Sequence, residues 1–263
     1  MRNSDRNIVS RSLLILAIVV VAGAAFAIGG AIVGYGQSHV LIDNARKTKE
    51  AALSEGTDTY LKAAEDGDEG AQLTLAGKYM LGQGVPKSYP KAVKWLTKAA
   101  QQGNVKAQSG LALIYFGGEE GVQRNYTEAE RWARKAALKG DPLAQTVIGE
   151  LFLRGTPGIM VDYSEAAAWF YKAAIQGNAW AQGELGTTYI KSRAATITVQ
   201  NAPEFKEFNS SASLDEEAFF WLCLSIAGGR SEYIKMRDHL ANQLGFDKAV
   251  AIQERAQKWR PAK

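Results

Sequence analysis

The stretch AQLTLAGKYMLGQGVPKSYPKAVKWLTKAAQQG, residues 71–103, decides the fold, because its pattern returns as AQSGLALIYFGGEEGVQRNYTEAERWARKAALKG at residues 107–140. Units open at Ala71-Gln72, Ala107-Gln108, Ala144-Gln145 and Ala181-Gln182, a period of 36 to 37 residues. Four residues after each alanine stands Leu75, Leu111, Ile148 or Leu185, and eight after it Tyr79, Tyr115, Phe152 or Tyr189. Offsets of zero, four and eight share one face of a helix. A glycine-rich turn follows, Leu81-Gly82-Gln83-Gly84-Val85-Pro86 in the first unit, and then a second helical pattern centred on Trp95, Trp132, Trp169 and Trp221. Alanines lie three residues before each tryptophan (Ala92, Ala129, Ala166, Ala218), and Ala99, Ala136, Ala173 or Ser225 lies four after it. Gly103, Gly140, Gly177 and Gly229 then occupy the place where a left-handed C-cap favours a residue without a β-carbon.

Each unit therefore reads helix, turn, helix, stop. Neither helix buries its apolar stripe alone, so the units must stack, with small alanines admitting the tryptophans and tyrosines of neighbours. The expected fold is all-α, an α/α superhelical solenoid spanning residues 57–230. A half repeat at 57–70 precedes the four units, since Lys62-Ala63-Ala64-Glu65-Asp66-Gly67 copies the end of a second helix, Lys98-Ala99-Ala100-Gln101-Gln102-Gly103. The last unit carries an insertion, residues 192–213, polar and containing Pro203, which reads as a loop. Residues 231–263 read as two capping helices, Tyr233 to Gln243 and Asp247 to Arg260, broken at Gly245.

Upstream of the array the chain changes character. After a tail of residues 1–12, residues 13–36 contain no charged side chain, and as a helix they would extend about 36 Å, enough for a hydrocarbon core. The segment is expected to be a membrane anchor, with Gly30 and Gly34 as a small-xxx-small pair for close helix packing. A secretory signal cleaved after Ala25-Phe26-Ala27 is the competing reading. Arg2, Arg6 and Arg11 tie in number with Arg46, Lys47 and Lys49 of the 37–56 linker. The upstream cluster lies nearer the span, which favours an exported C-terminal part, periplasmic in a bacterium. The overall charge of +4 indicates no polyanion partner.

Residues 71–177 resemble the Sel-one-like repeat, a branch of the tetratricopeptide superfamily. Gly82-Gln83-Gly84-Val85, Lys91-Ala92, Trp95 and Lys98-Ala99-Ala100 carry the likeness, and Leu244 to Trp259 is similar to a closing segment of such proteins. The resemblance implies a solenoid that binds proteins or peptides as an adaptor. One branch of the family, stapled by many cysteines, is linked to β-lactam chemistry. This chain has a single cysteine, Cys223, and so departs from that branch.

Nothing in the sequence points to catalysis, a cofactor or a metal. The two histidines, His39 and His239, have no partners at ligand or catalytic spacing. Gly82 to Ser88 lacks the spacing of a phosphate loop and follows no strand, and no aromatic residues alternate with basic ones in the manner of nucleic-acid binders. Lys94, Lys98, Arg131, Lys135 and Lys172 fall on the outer side of the second helices, where long side chains lie over apolar surface. The concave face is the expected binding surface for a protein or peptide. Offsets two and six from each opening alanine place Leu73, Gly77, Ser109, Leu113, Thr146, Glu150, Gly183 and Thr187 on it, a small and mostly neutral strip. Gln72, Gln108, Gln145 and Gln182 are expected to hydrogen-bond between helices. The role stays open between a membrane-tethered adaptor that binds reversibly and a permanent accessory subunit of a membrane complex.

Overall fold

In a computed structural model of the protein, residues 57–194 and 213–261 are described. They form eleven helices: α1 (described over 57–65), α2 (Glu69–Leu81), α3 (Tyr89–Gln101), α4 (Val105–Gly117), α5 (Tyr126–Ala137), α6 (Pro142–Arg154), α7 (Tyr163–Ala174), α8 (Ala179–Ala194), α9 (Leu214–Ala227), α10 (Ile234–Leu244) and α11 (Phe246–Lys258). No strand occurs among the described residues, only single bridges in two inter-helix turns. The anchor expected at 13–36, with Gly30 and Gly34, and the 37–56 linker lie outside the described residues. No described helix is long and apolar enough to cross a membrane.

Polar caps set the helix starts. Asp68, Asn104, Asp141 and Asn178 each accept, through a side-chain oxygen, the backbone N–H of the alanine that opens the unit, at 2.6, 2.8, 2.8 and 2.9 Å. Each such alanine is thus the third helical residue, where an N-terminal cap satisfies an orphan donor. Ser88, Asn125 and Asp162 cap the second helices in the same way. At the far ends Gly103, Gly140 and Gly177 take left-handed φ values of 101°, 86° and 87°, and the next residue's N–H returns to Ala99, Ala136 or Ala173.

The helices pair within units (α2 with α3, α4 with α5, α6 with α7, α8 with α9), each second helix packs on the next first helix, and α4, α6 and α8 lie side by side. Leu75, Leu111, Ile148 and Leu185 sit at the centre of this packing, each at most 1% exposed. Trp95, Trp132 and Trp221 are buried at 4%, 2% and 0% exposure. Trp169 differs: it is half-buried, and the fully buried ring of its unit belongs to the next residue, Phe170. Phe170 fits because Gly149 faces it, where a β-carbon would stand 2.6 Å from the ring.

Helix α8 continues to Ala194, past the expected start of the inserted loop, with Ser192 fully buried and its hydroxyl donating to the Tyr189 carbonyl at 2.9 Å. The insertion otherwise falls at residues 195–212, outside the described residues. Helices α10 and α11 both pack on α9, and Trp259 meets Trp221 edge-on, ring centroids 6.2 Å apart.

Candidate binding face

A first helix of the array has neighbours on three sides: its own second helix, the preceding second helix and the adjacent first helix. The buried arc is correspondingly wide. Of the strip expected to be open, Leu73 and Gly77 are half-buried and Leu113 is 37% exposed, but Ser109, Thr146, Glu150, Gly183 and Thr187 are buried. Offset two points at the adjacent first helix, so Ser109 and Thr146 turn their hydroxyls back to carbonyls of their own helices. The exposed positions are Thr74, Leu113 and, at offset ten, Leu81, Gly117, Arg154 and Lys191, whereas offset three is half-buried at Gly110 and Glu184 and fully buried at Val147.

At the C-terminal end a second cause operates. A β-carbon on Gly183 would stand 2.1 Å from the Tyr233 ring, and the Thr187 hydroxyl contacts Met236 sulfur at 3.7 Å. The segment leading into α10 therefore lies over the last first helix and removes it from the open face. Sequence reading missed this cover, and the two glycines of α8, Gly183 and Gly186, were the available signal, since Gly186 makes room for Leu222 in the same manner.

Between the open and covered parts lies a polar group built on one of the residues expected in the open strip. Glu150, 1% exposed, accepts from Arg154 Nε at 2.5 Å, and its other oxygen is buried with no hydrogen-bond partner. The Arg154 guanidinium lies 5.4 Å from the centre of the Phe116 ring, and its bond to Glu150 holds it firmly protonated. Glu184 accepts from the Tyr233 hydroxyl at 2.6 Å. Burial, then the neighbouring Glu150 charge, raises the Glu184 carboxyl, against the pull of Tyr233, Lys191 and Arg154.

On the outer side the basic residues do cover apolar surface. Lys98 lies over Trp95 at 4.5 Å, Arg131 and Lys135 over Trp132 at 4.3 and 4.7 Å, and Lys172 over Trp169 at 4.6 Å. The repeated glutamines bond between helices as expected, Gln72, Gln108, Gln145 and Gln182 each donating to the alanine carbonyl eight residues back. His239 pairs with Gln243 on the surface, beside a recess of about 460 Å³ whose apolar lining is Ile190, Met236 and Leu240. Burial pushes the Cys223 thiol up to about 11, which keeps it protonated at neutral pH. Among the described residues no three His, Cys, Asp or Glu side chains converge on a metal position.

The Sel1 repeat family matches residues 71–104, 105–141 and 142–178. A Sel1 repeat protein from Oxalobacter formigenes is 30% identical, over 80% of this chain and 78% of its own, with a TM-score of 0.60. A protective antigen of uropathogenic Escherichia coli with the same repeat fold is 22% identical over 80% of this chain and 60% of its own, TM-score 0.41. A Sel1 repeat protein from Klebsiella pneumoniae subsp. pneumoniae is 23% identical over 70% and 99%, TM-score 0.42. No curated protein sequence matches. With its repeats, their register and a solved relative of this identity and coverage in agreement, the chain belongs to the Sel1 repeat family.

Proposed function

We propose that this protein is a membrane-tethered adaptor that holds a protein partner on the concave face of its repeats, with residues 13–36 as the tether and the repeats on the exported side. Proteins of the Sel1 repeat family are protein-interaction scaffolds and are generally non-catalytic. The observation that carries the reading is the open face of α2 and α4. Thr74, Leu113 and Gly117 there are exposed and Gly77 is half-buried, and no described residue fills the space beside Gly77 and Gly117. Such a surface admits an extended segment or a helix at close range.

The test is affinity purification of the full-length protein from gently solubilised native membranes, with mass spectrometry of the intact chain and its companions, for the wild type and Leu113→Arg. An intact N-terminus and a companion at fixed stoichiometry that disappears in the variant, at unchanged circular-dichroism melt, is the expected outcome. A chain beginning after Ala27 would remove the tether. Equal recovery of the companion with Leu113→Arg would remove the concave face.

A further inference from the structure

The charges on the first helices are unevenly presented. Their acids are withdrawn: Glu69 is engaged by the Asn104 side chain, Glu150 is 1% exposed, and Glu184 is half-buried under Tyr233. Their exposed charges are basic, namely Lys106, Arg154, Lys191 and Arg193. Arg193 is paired with Asp215. Arg154 stands apart because it is both fixed and available. Its Nε is held by a buried carboxylate and its plane rests near Phe116, yet its side chain is 58% exposed. Neither Nη atom has a hydrogen-bond partner among the described residues. A guanidinium so held presents two parallel N–H donors at low entropic cost, the fork that matches a carboxylate.

The surroundings agree. Arg124 lies at the end of α4, its Nε and Nη2 on the Gly117 carbonyl and its guanidinium 5.8 Å from the Tyr126 ring, which in turn packs against Phe116. The acids of the same turn, Glu119 and Glu120, pair with neither arginine. Burial of Glu150 with one oxygen unpartnered is costly for a structural residue. It is intelligible as the group that aims Arg154.

We propose that Arg154, positioned by Glu150 and Phe116, receives an acidic side chain of a partner segment lying along the concave face, so that the third repeat selects partners carrying Asp or Glu. The inference rests on the adaptor reading and names the chemistry its partner must carry. Arg154 contacts the ligand; Glu150 is a positioning residue.

The experiment is fluorescence anisotropy with full-length protein and N-acetylated, C-amidated peptides of alternating Glu and Leu, against the same peptide with Gln for Glu and a Gln peptide with a free C-terminal carboxylate. The Glu probe should bind, weaken with salt, and lose about tenfold in affinity with Arg154→Gln. The double variant Glu150→Gln/Arg154→Gln, which strands no buried charge, should lose as much, and Lys94→Gln on the convex side should lose nothing. Failure of the Glu probe to bind, equal binding of the Gln probe, tighter binding of the free C-terminus, or an equal loss with Lys94→Gln would each overturn the proposal. Both variants are also taken through the native purification. A companion lost with Leu113→Arg but retained with the Arg154 variants leaves the adaptor reading standing and removes this one; a companion retained with all of them removes both.

Discussion

The glutamine ladder is broken in the second repeat, where it strands a buried acceptor, and mending it should stabilise the protein. Gln102 at the end of α3 donates through Nε2 to the Gly67 carbonyl at 3.0 Å and to Gln72 Oε1 at 2.8 Å. Gln176 likewise donates to Gln145 Oε1 at 2.9 Å. At the matching position of the second repeat the chain has Lys139, whose Nζ reaches the Gly103 carbonyl at 2.9 Å. Gln108 Oε1, the equivalent acceptor, is left buried without a partner, although Gln108 itself is 4% exposed. Lys139→Gln should reproduce the geometry of Gln102, keeping the bond to Gly103 and adding one to Gln108. A buried acceptor left unmade costs about 1–3 kcal/mol and a net hydrogen bond contributes about 0.5–1.5 kcal/mol. Loss of the lysine charge near a helix C-terminus subtracts a few tenths of a kcal/mol. The expected gain is about 1 kcal/mol, or about 2–4 °C in melting temperature for an array of this size. Urea unfolding followed by circular dichroism measures it, with Gln102→Lys as the mirror variant, expected to lose a similar amount by stranding Gln72 Oε1. A Lys139→Gln protein no more stable than wild type, alongside an unharmed Gln102→Lys, would refute the claim that the ladder matters.

Four further outcomes are expected. Gly77→Ala should raise stability by about 1 kcal/mol, because a helical glycine with open space beside it only forfeits propensity. Gly183→Ala should instead cost about 1–3 kcal/mol by forcing Tyr233 aside, and much of that loss should vanish in a Tyr233→Ala background if the steric account is right. Trp132→Ala, at 2% exposure, should cost about 3–5 kcal/mol, and a loss under about 1 kcal/mol in urea unfolding would contradict inter-unit packing. Glu184→Gln keeps an acceptor for Tyr233 and removes a carboxyl whose folded-state value is raised. Wild-type stabilisation from this group is full below its ordinary value and is lost as pH climbs through the raised one. The glutamine variant should therefore be the more stable at neutral pH, with an advantage that shrinks on acidification; a pH-independent difference would contradict the assigned shift.

What could be read from the sequence follows from how many residues share a constraint. The period, the two helices per unit and the stop glycines were legible because the same physical demand recurs in every unit: an alanine where helices touch, a ring where they part, a glycine where φ turns positive. Trp169 and Phe170 show where that reading fails. The repeat places an aromatic at 169, but the core needs a ring of fixed volume and not at a fixed position. Gly149 on the facing helix opens space one residue further along, and Phe170 takes it at 0% exposure. A compensating pair is invisible to a pattern read one strand of positions at a time.

The groove illustrates the same limit at longer range. Offsets two and six were assigned to it from a single core stripe, as though each first helix had one neighbour. Packing of α4, α6 and α8 on one another turns the open arc, and Tyr233, some fifty residues from Gly183, closes its end. Position within a repeat fixes a residue's relation to its own unit and to the next; it says nothing about what the capping segment lays across the face. The third unit is the only one bordered by open groove on one side and covered helix on the other, and it carries Glu150 and Arg154, a pair with no equivalent at those positions in the other units, where Gly77 with Leu81, Leu113 with Gly117 and Thr187 with Lys191 stand instead. Where the repeat is obeyed it describes packing. A buried acid holding an exposed arginine, at the one boundary the repeat does not describe, is therefore where selectivity for a partner is to be sought.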